Sequence, residues 1–322
     1  VAQIRPHALI IGAGVSGLTT AVRLAEENVR VRVRAEKDPG HTNSAAAGAI
    51  WDPIYANHPK VGAWAARSYE VFRRMAEEDF PGVRLVDGVE ASREPITSPD
   101  WARGLPGFRE CTPDELPAGF AHGWHYTAPI IDMPPYLAAL EAMVRAPGGD
   151  LRFGSRLSSL EEGFADADIV INCSGAGARE LVPDPEVRPI RGQLVAIDNP
   201  GHAEFFAEHT VELGEMIYLL PQGDTLLLGG SAEEGIADPE PDPRVADEIV
   251  KRCGDIFPEI RNAPILGNRG GIRPSRSMIR LEHEDRGDRH IVHNYGHSGA
   301  GVSLSWGCAD DVTAIVLGLL GR

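Results

Sequence analysis

The six residues Gly12-Ala13-Gly14-Val15-Ser16-Gly17 constrain this chain more than any others, because their surroundings complete a G-x-G-x-x-G unit. His7 to Gly12, HALIIG, reads as an apolar strand. Ser16 to Glu27 has the apolar spacing of an amphipathic helix, and Arg30 to Glu36, RVRVRAE, alternates strictly as a second strand. Strand, glycine turn, helix and strand form the opening of a doubly wound α/β fold that holds a dinucleotide. Gly12 permits the tight turn, Gly14 lets the backbone approach a pyrophosphate, and Gly17 lets helix and strand pack closely. The helix N-terminus adds free N–H groups and partial positive charge for the phosphates. Glu36, at the end of the second strand, is placed to accept from ribose hydroxyls, and its charge disfavours a 2′-phosphate.

With 322 residues, the chain has room for two domains or one fold with interleaved lobes. Lys plus Arg number 31 against 47 Asp plus Glu, a net charge of −16 with no basic block, which argues against nucleic acid or anionic membrane as partners. No apolar run approaches bilayer length, Ile315 to Leu320 being too short, and no charged-then-apolar leader opens the sequence, so a cytoplasmic location is expected. Cys111, Cys173, Cys253 and Cys308 form no CxxC and have no histidine at ligand spacing, so no metal site is expected. They read as reduced core thiols, with a Cys253–Cys308 disulfide as the alternative.

Beyond the opening unit, residues 52 to 133 are rich in Pro, Trp and charge and helix-like only from Gly62 to Asp79. An amphipathic helix returns at Tyr136 to Arg145, then short strands at Leu151 to Phe153 and Asp168 to Cys173. The runs QLVAI, MIYLL and TLLLGG between Gly192 and Gly230 predict antiparallel strands. A Pro-rich acidic loop, Pro239 to Pro243, precedes a helix at Val245 to Ile256. The tail is a strand, His290 to Tyr295, a glycine turn, and a long helix from Gly301 to Leu320.

The glycine motif alone does not separate NAD from FAD. A site that begins at residue 12, followed by an inserted lobe and a late glycine turn, is the pattern of flavoproteins. The segments IGAGVSGL, AAAGAIWDP, GFRECTPDEL, DIVINCSGA, RGQL, YLLP, GIRPSRSMIRLE and HNYGHSGAGVSLSWGCA then carry a resemblance to the D-amino-acid oxidase family over nearly the whole chain. That resemblance implies a Rossmann-type FAD-binding domain (1–51, 134–190 and 267–322) interleaved with an α+β substrate domain on an antiparallel sheet (52–133 and 191–266). It implies oxidative deamination of D-amino acids, with a hydride passing from the substrate α-carbon to flavin N5 and electrons going on to oxygen as peroxide. A small-molecule D-amino acid and oxygen are then the partners, and a homodimer is compatible with this reading.

By the same resemblance, Arg273 in GIRPSR and Tyr218 in MIYLLP hold the substrate carboxylate, and the Gly299 carbonyl orients its nitrogen. A guanidinium fork suits a carboxylate because it grips both oxygens at once. Ser298, Gly299, Ala300, Gly301, Val302 and Ser303 fall in the turn and first helical residues that stabilise charge on the flavin, and His297 is read as structural rather than as a base. Lys37, Thr42, Asn43, Ala47, Gly48, Leu157 and Ser174 fall at further cofactor contacts. Asp52, where vertebrate members have glutamine, is a candidate substrate contact favouring cationic side chains, with solvated surface as the alternative. The second active-site tyrosine of the mammalian lid has no counterpart, since Gly214-Glu215-Met216-Ile217 directly precede Tyr218, and a short or absent lid is expected. Nor does the region of His209 show the arginine of D-aspartate specialists. A glycine or sarcosine oxidase of the same fold, and a non-catalytic dinucleotide-binding redox module, are the competing readings.

Overall fold

The opening strand β1 (Ala8–Ile11), helix α1 (Val15–Glu26) and strand β2 (Val31–Arg34) form where the glycine motif predicts them. The computed structural model describes residues 7–210 and 214–322. The chain continues through α2 (Val61–Glu77), β3 (Val83–Ser92), the single turn α3 (Asp100–Arg103), β4 (Arg109–Glu110), β5 (His122–Ile131) and α4 (Met133–Arg145). Next come β6 (Asp150–Arg152), β7 (Ile169–Asn172), α5 (Ala178–Leu181), β8 (Arg188–Asp198), β9 (Phe205–Glu208), β10 (Tyr218–Gln222), β11 (Thr225–Gly229) and β12 (Glu233–Glu234). The last elements are α6 (Pro243–Ile256), β13 (Ile265–Ser275), β14 (Arg280–Asp285), β15 (His290–Tyr295) and α7 (Gly301–Leu319).

Two sheets result. The first has the order β14-β15-β7-β1-β2-β6, parallel except for the edge strand β14. Strand order reverses on either side of β1, which makes its carboxyl end the crevice where such sheets bind ligands. Both faces of β1 are covered: Ala8 and Ile10 join the core under α1, α4 and α7, while Leu9 and Ile11 join a second core with Leu157, Leu160 and Phe164. Burial on both sides explains why its sequence is uniformly apolar.

The second sheet runs β12-β8-β11-β10-β9-β3-β5-β4, with β13 also on β8. It is antiparallel apart from the β3–β9 pair. One face packs on α6 through Ile249 and Cys253, and the other is built around Trp124, Tyr126 and Phe205. Asp242 starts α6 by accepting from the Arg244 N–H at 2.9 Å, with Pro243 in the first turn. The strand that carries Arg273, β13, pairs with β8 along its length, so the expected boundary at residue 267 cuts through a strand of the second sheet.

One expectation is overturned, that for α7, and the structure fills in two others. Residues 83–92 and 122–131, in the stretch read as part of the second lobe with a helix only at Gly62 to Asp79, are the paired strands β3 and β5 of its sheet. Helix α7 is long and apolar enough to span a bilayer on length and composition, contrary to the expectation that no run approaches this; it packs mostly buried against α1 and α2 as a core helix. Cys253 and Cys308 lie in separate cores and all four cysteines are free, in line with the expected reduced thiols rather than the disulfide alternative.

Candidate active site

Two of the three motif glycines serve the fold. Gly12 has φ +113°, a region that L side chains avoid, and a Cβ there would collide with the Cys173 carbonyl. A Cβ on Gly17 would strike the Gly12 carbonyl. Gly14 is different: it caps α1, and a Cβ on it would meet only the Ser44 hydroxyl, at 2.9 Å. That hydroxyl accepts from the Val15 N–H at 3.0 Å, and no acid occupies the first turn. Ala13 and Val15 are buried beneath, so the turn presents backbone N–H groups beside Gly14 and Ser16. An anionic diphosphate is the natural occupant of such a helix end.

The groove continues at both sides of this turn. Glu36 is exposed on the rim of a cavity of about 600 Å³ that Lys37, Thr42, Asn43, Phe153 and Gly154 also line, an environment fit for a ribose. The Pro239–Pro241 loop closes its far wall. Ser174 follows β7, its Cα next to Gly12, and its hydroxyl donates to Asn172 Oδ1 at 2.6 Å. Leu157 has its side chain in the core, so only its backbone can face a cofactor. Toward the second sheet, Asn43 Oδ1 accepts from the Ile272 N–H at 3.0 Å, tying the phosphate side of the groove to the strand of Arg273. Ala47 packs on the first core, and Gly48 lies against Leu220, Leu194 and the Tyr218 ring, where a Cβ would press on the two leucine methyls at 3.0 and 3.2 Å.

At the other end stands the turn before α7. Ser298 takes φ +52°, its N–H donates to the Pro274 carbonyl at 3.1 Å, and the Ala300 N–H donates to the His297 carbonyl at 3.0 Å. Gly301, Val302 and Ser303 open α7 with no side-chain cap and no acid, leaving a second positive helix end. The Ser303 hydroxyl is used by the protein, accepting from the Asp52 N–H at 3.0 Å. His297 is 4% exposed, its Nε2 has no partner among the described residues, and burial holds its pKa down at about 4, so the ring is neutral at neutral pH.

The three substrate residues expected from sequence meet here. A Cβ built on Gly299 would stand 3.9 Å from Arg273 Cδ, and no described protein group donates to the Gly299 carbonyl. The Arg273 Nη1 donates to the Ser231 carbonyl at 2.8 Å, which aims the fork. Tyr218 lies over Gly229 and Gly230; burial raises its phenol pKa against the opposing pull of Arg273.

Sequence reasoning missed several residues of this pocket. Tyr55, at φ +64°, has its Cβ 3.8 Å from where a Cβ on Gly299 would stand, and its hydroxyl bonds Thr210 Oγ1 at 2.7 Å. Burial pushes that phenol up to about 12. Glu90 is 1% exposed, accepts from the Tyr126 hydroxyl at 2.8 Å and meets His209 Nδ1 at 2.5 Å. Asp52 is not solvated surface: it is half-buried, and burial together with the nearby Glu90 drives its carboxyl well above the usual range. The place of a lid is the β9–β10 connection, of which residues 211–213 lie outside the described residues.

Comparison with known proteins agrees with this geometry. A family described as FAD dependent oxidoreductase matches residues 7–315. The D-amino-acid oxidase of Rubrobacter xylanophilus is 45% identical over 97% of this chain and 96% of the relative. That of Streptomyces coelicolor is 43% identical over 95% of each. Among solved structures, glycine oxidase from Geobacillus kaustophilus superposes with a TM-score of 0.83 over 98% of this chain and 95% of that one, at 20% identity, a likeness of fold. A diphosphate-ready helix end at Gly14, an exposed Glu36 for the ribose and a match over nearly its whole length together place the chain in the D-amino-acid oxidase family of FAD-dependent oxidoreductases.

Proposed function

We propose that the chain deaminates D-amino acids oxidatively, giving a 2-oxo acid, ammonia and hydrogen peroxide. The convergence of Arg273, Tyr218 and the free Gly299 carbonyl supports this most directly. Arg273 takes the substrate carboxylate through its fork, and the Tyr218 hydroxyl donates to the same group. The Gly299 carbonyl accepts from the neutral amine. Carboxylate and nitrogen held at two fixed points leave the α-carbon one orientation, and such positioning supplies much of the rate. FAD, when bound, supplies the hydride acceptor and passes the electron pair to oxygen. As the Cα–H bond breaks, the nitrogen lone pair forms the C=N bond, and water then hydrolyses the imine. No side chain is needed as a base, which fits a His297 that is buried and neutral.

The test is peroxide release by the yellow holoenzyme with D-alanine, L-alanine, glycine and sarcosine, together with anaerobic bleaching of the flavin band. Turnover of D-alanine well above the other three is expected. Preference for glycine or sarcosine would replace this reading with an achiral amine oxidase, and no bleaching by any of them would leave a non-catalytic module.

A further inference from the structure

Two carboxylates beside this pocket, Asp52 and Glu90, are not used by the proposed chemistry. Glu90 has both oxygens engaged, by Tyr126 and by His209. Asp52 does not: its Oδ1 accepts from the Ile54 N–H at 3.1 Å, and Oδ2 accepts nothing from any described residue. The backbone of Asp52 is pinned to the first turn of α7 through Ser303, and three residues later the chain places Tyr55 against Gly299. The Asp52 carboxyl also acts electrostatically on the Tyr55 phenol, which puts it beside the residue that faces the Gly299 turn. Among the described residues no lysine or arginine pairs with either acid. A half-buried carboxyl backed by a second one, with no cation of its own, is costly to ionise alone and is stabilised by a cation brought to it.

We propose that Asp52, backed by Glu90, is a specificity determinant that receives the cationic head of the side chain of a basic D-amino acid such as D-lysine or D-arginine, an inference that rests on the oxidase function above. The free Oδ2 accepts a charge-assisted hydrogen bond from the ammonium or guanidinium, while Arg273 holds the α-carboxylate at the other point. A neutral side chain of equal length leaves Asp52 without that partner. The burial and like charge that make ionisation unfavourable in the free enzyme are offset when the cation enters, so binding expels a proton from Asp52.

The experiment compares D-lysine with D-norleucine, which lacks only the ammonium, in wild-type holoenzyme and in Asp52→Asn, using D-alanine as a reference for turnover. Wild type is expected to show the higher kcat/KM with D-lysine. Asp52→Asn is expected to lower that value by about tenfold or more, mainly through KM, and to lower the D-lysine to D-norleucine ratio with it. A wild-type preference for D-norleucine, or an unchanged ratio in the variant, overturns the assignment, and the wild-type ratio decides even if the variant loses flavin. If D-alanine is not oxidised either, the oxidase reading itself has failed, which separates the two outcomes.

Discussion

The Arg273 guanidinium lies over the backbone of Gly192, where any Cβ would collide with it. On the paired strands Gly192 faces Gly271, and Arg273 faces Ile190, so the arginine reaches diagonally across β8. Its aim thus depends on a residue with no side chain. Arg273→Ala is expected to lower kcat/KM by roughly 10²- to 10³-fold, about 3–4 kcal/mol, by removing the charged anchor. Gly192→Val keeps the charge but displaces it, so KM rises while flavin content stays at the wild-type level. Steady-state kinetics beside the flavin absorbance check both, and near-normal kinetics in Arg273→Ala would remove the carboxylate clamp.

Removal of the Tyr218 hydroxyl separates anchoring from packing. The ring is fixed by Gly229 and Gly230 beneath it, and Phe fills the same space. Tyr218→Phe is expected to change stability by less than about 1 kcal/mol. Its KM is expected to rise about tenfold, with a smaller change in kcat. A stable variant with unchanged KM would take Tyr218 out of carboxylate binding.

The motif glycines differ in what they protect. At Gly17 a Cβ meets the fixed carbonyl of Gly12, whereas at Gly14 it meets one hydroxyl that can turn away. Gly14→Val is therefore expected to fold with an unchanged melting transition once both proteins are stripped of flavin, yet to purify colourless. Gly17→Val is expected to lower the apoprotein transition itself, by an overpacking cost of about 1–3 kcal/mol. A yellow Gly14→Val protein would place the diphosphate elsewhere.

These contrasts show where the sequence was informative. The first sheet was legible because β1 is uniformly apolar, β7 is apolar up to its last residue, Asn172, and β2 alternates, with glycine turns nearby. Arg273, Tyr218 and Gly299 were legible because they sit in contiguous segments that resemble a family. The second half of the pocket was not. β3, VRLVDGVEAS, mixes charges into a strand whose exposure does not alternate, since its buried acid Glu90 is satisfied only by Tyr126 and His209 from elsewhere in the chain. Tyr55 was hidden for a related reason: nothing local announces a left-handed tyrosine that points at a turn more than two hundred residues away. A WDPIY segment with an acid and an aromatic three apart was the one available signal.

The buried turn histidine predicts an acid sensitivity with a defined sign. His297 is 4% exposed, its Nε2 has no partner among the described residues, and burial holds it at about 4, whereas a histidine in an unfolded chain titrates near 6.5. Between these values the unfolded state binds more protons than the folded one, so stability increases with pH. The contribution is complete above about 6.5 and is lost as pH falls toward 4, amounting to about 3 kcal/mol across the window. His293, also held below its ordinary value by burial, tilts the curve the same way. Because His293 is present in both proteins, the difference between wild type and His297→Asn isolates His297. Urea unfolding from pH 4 to 8 is expected to give two curves offset by a constant amount above pH 7, with wild type losing stability more steeply below it. Parallel curves throughout would mean that His297 takes up its proton without cost, by turning Nε2 to a partner or to solvent.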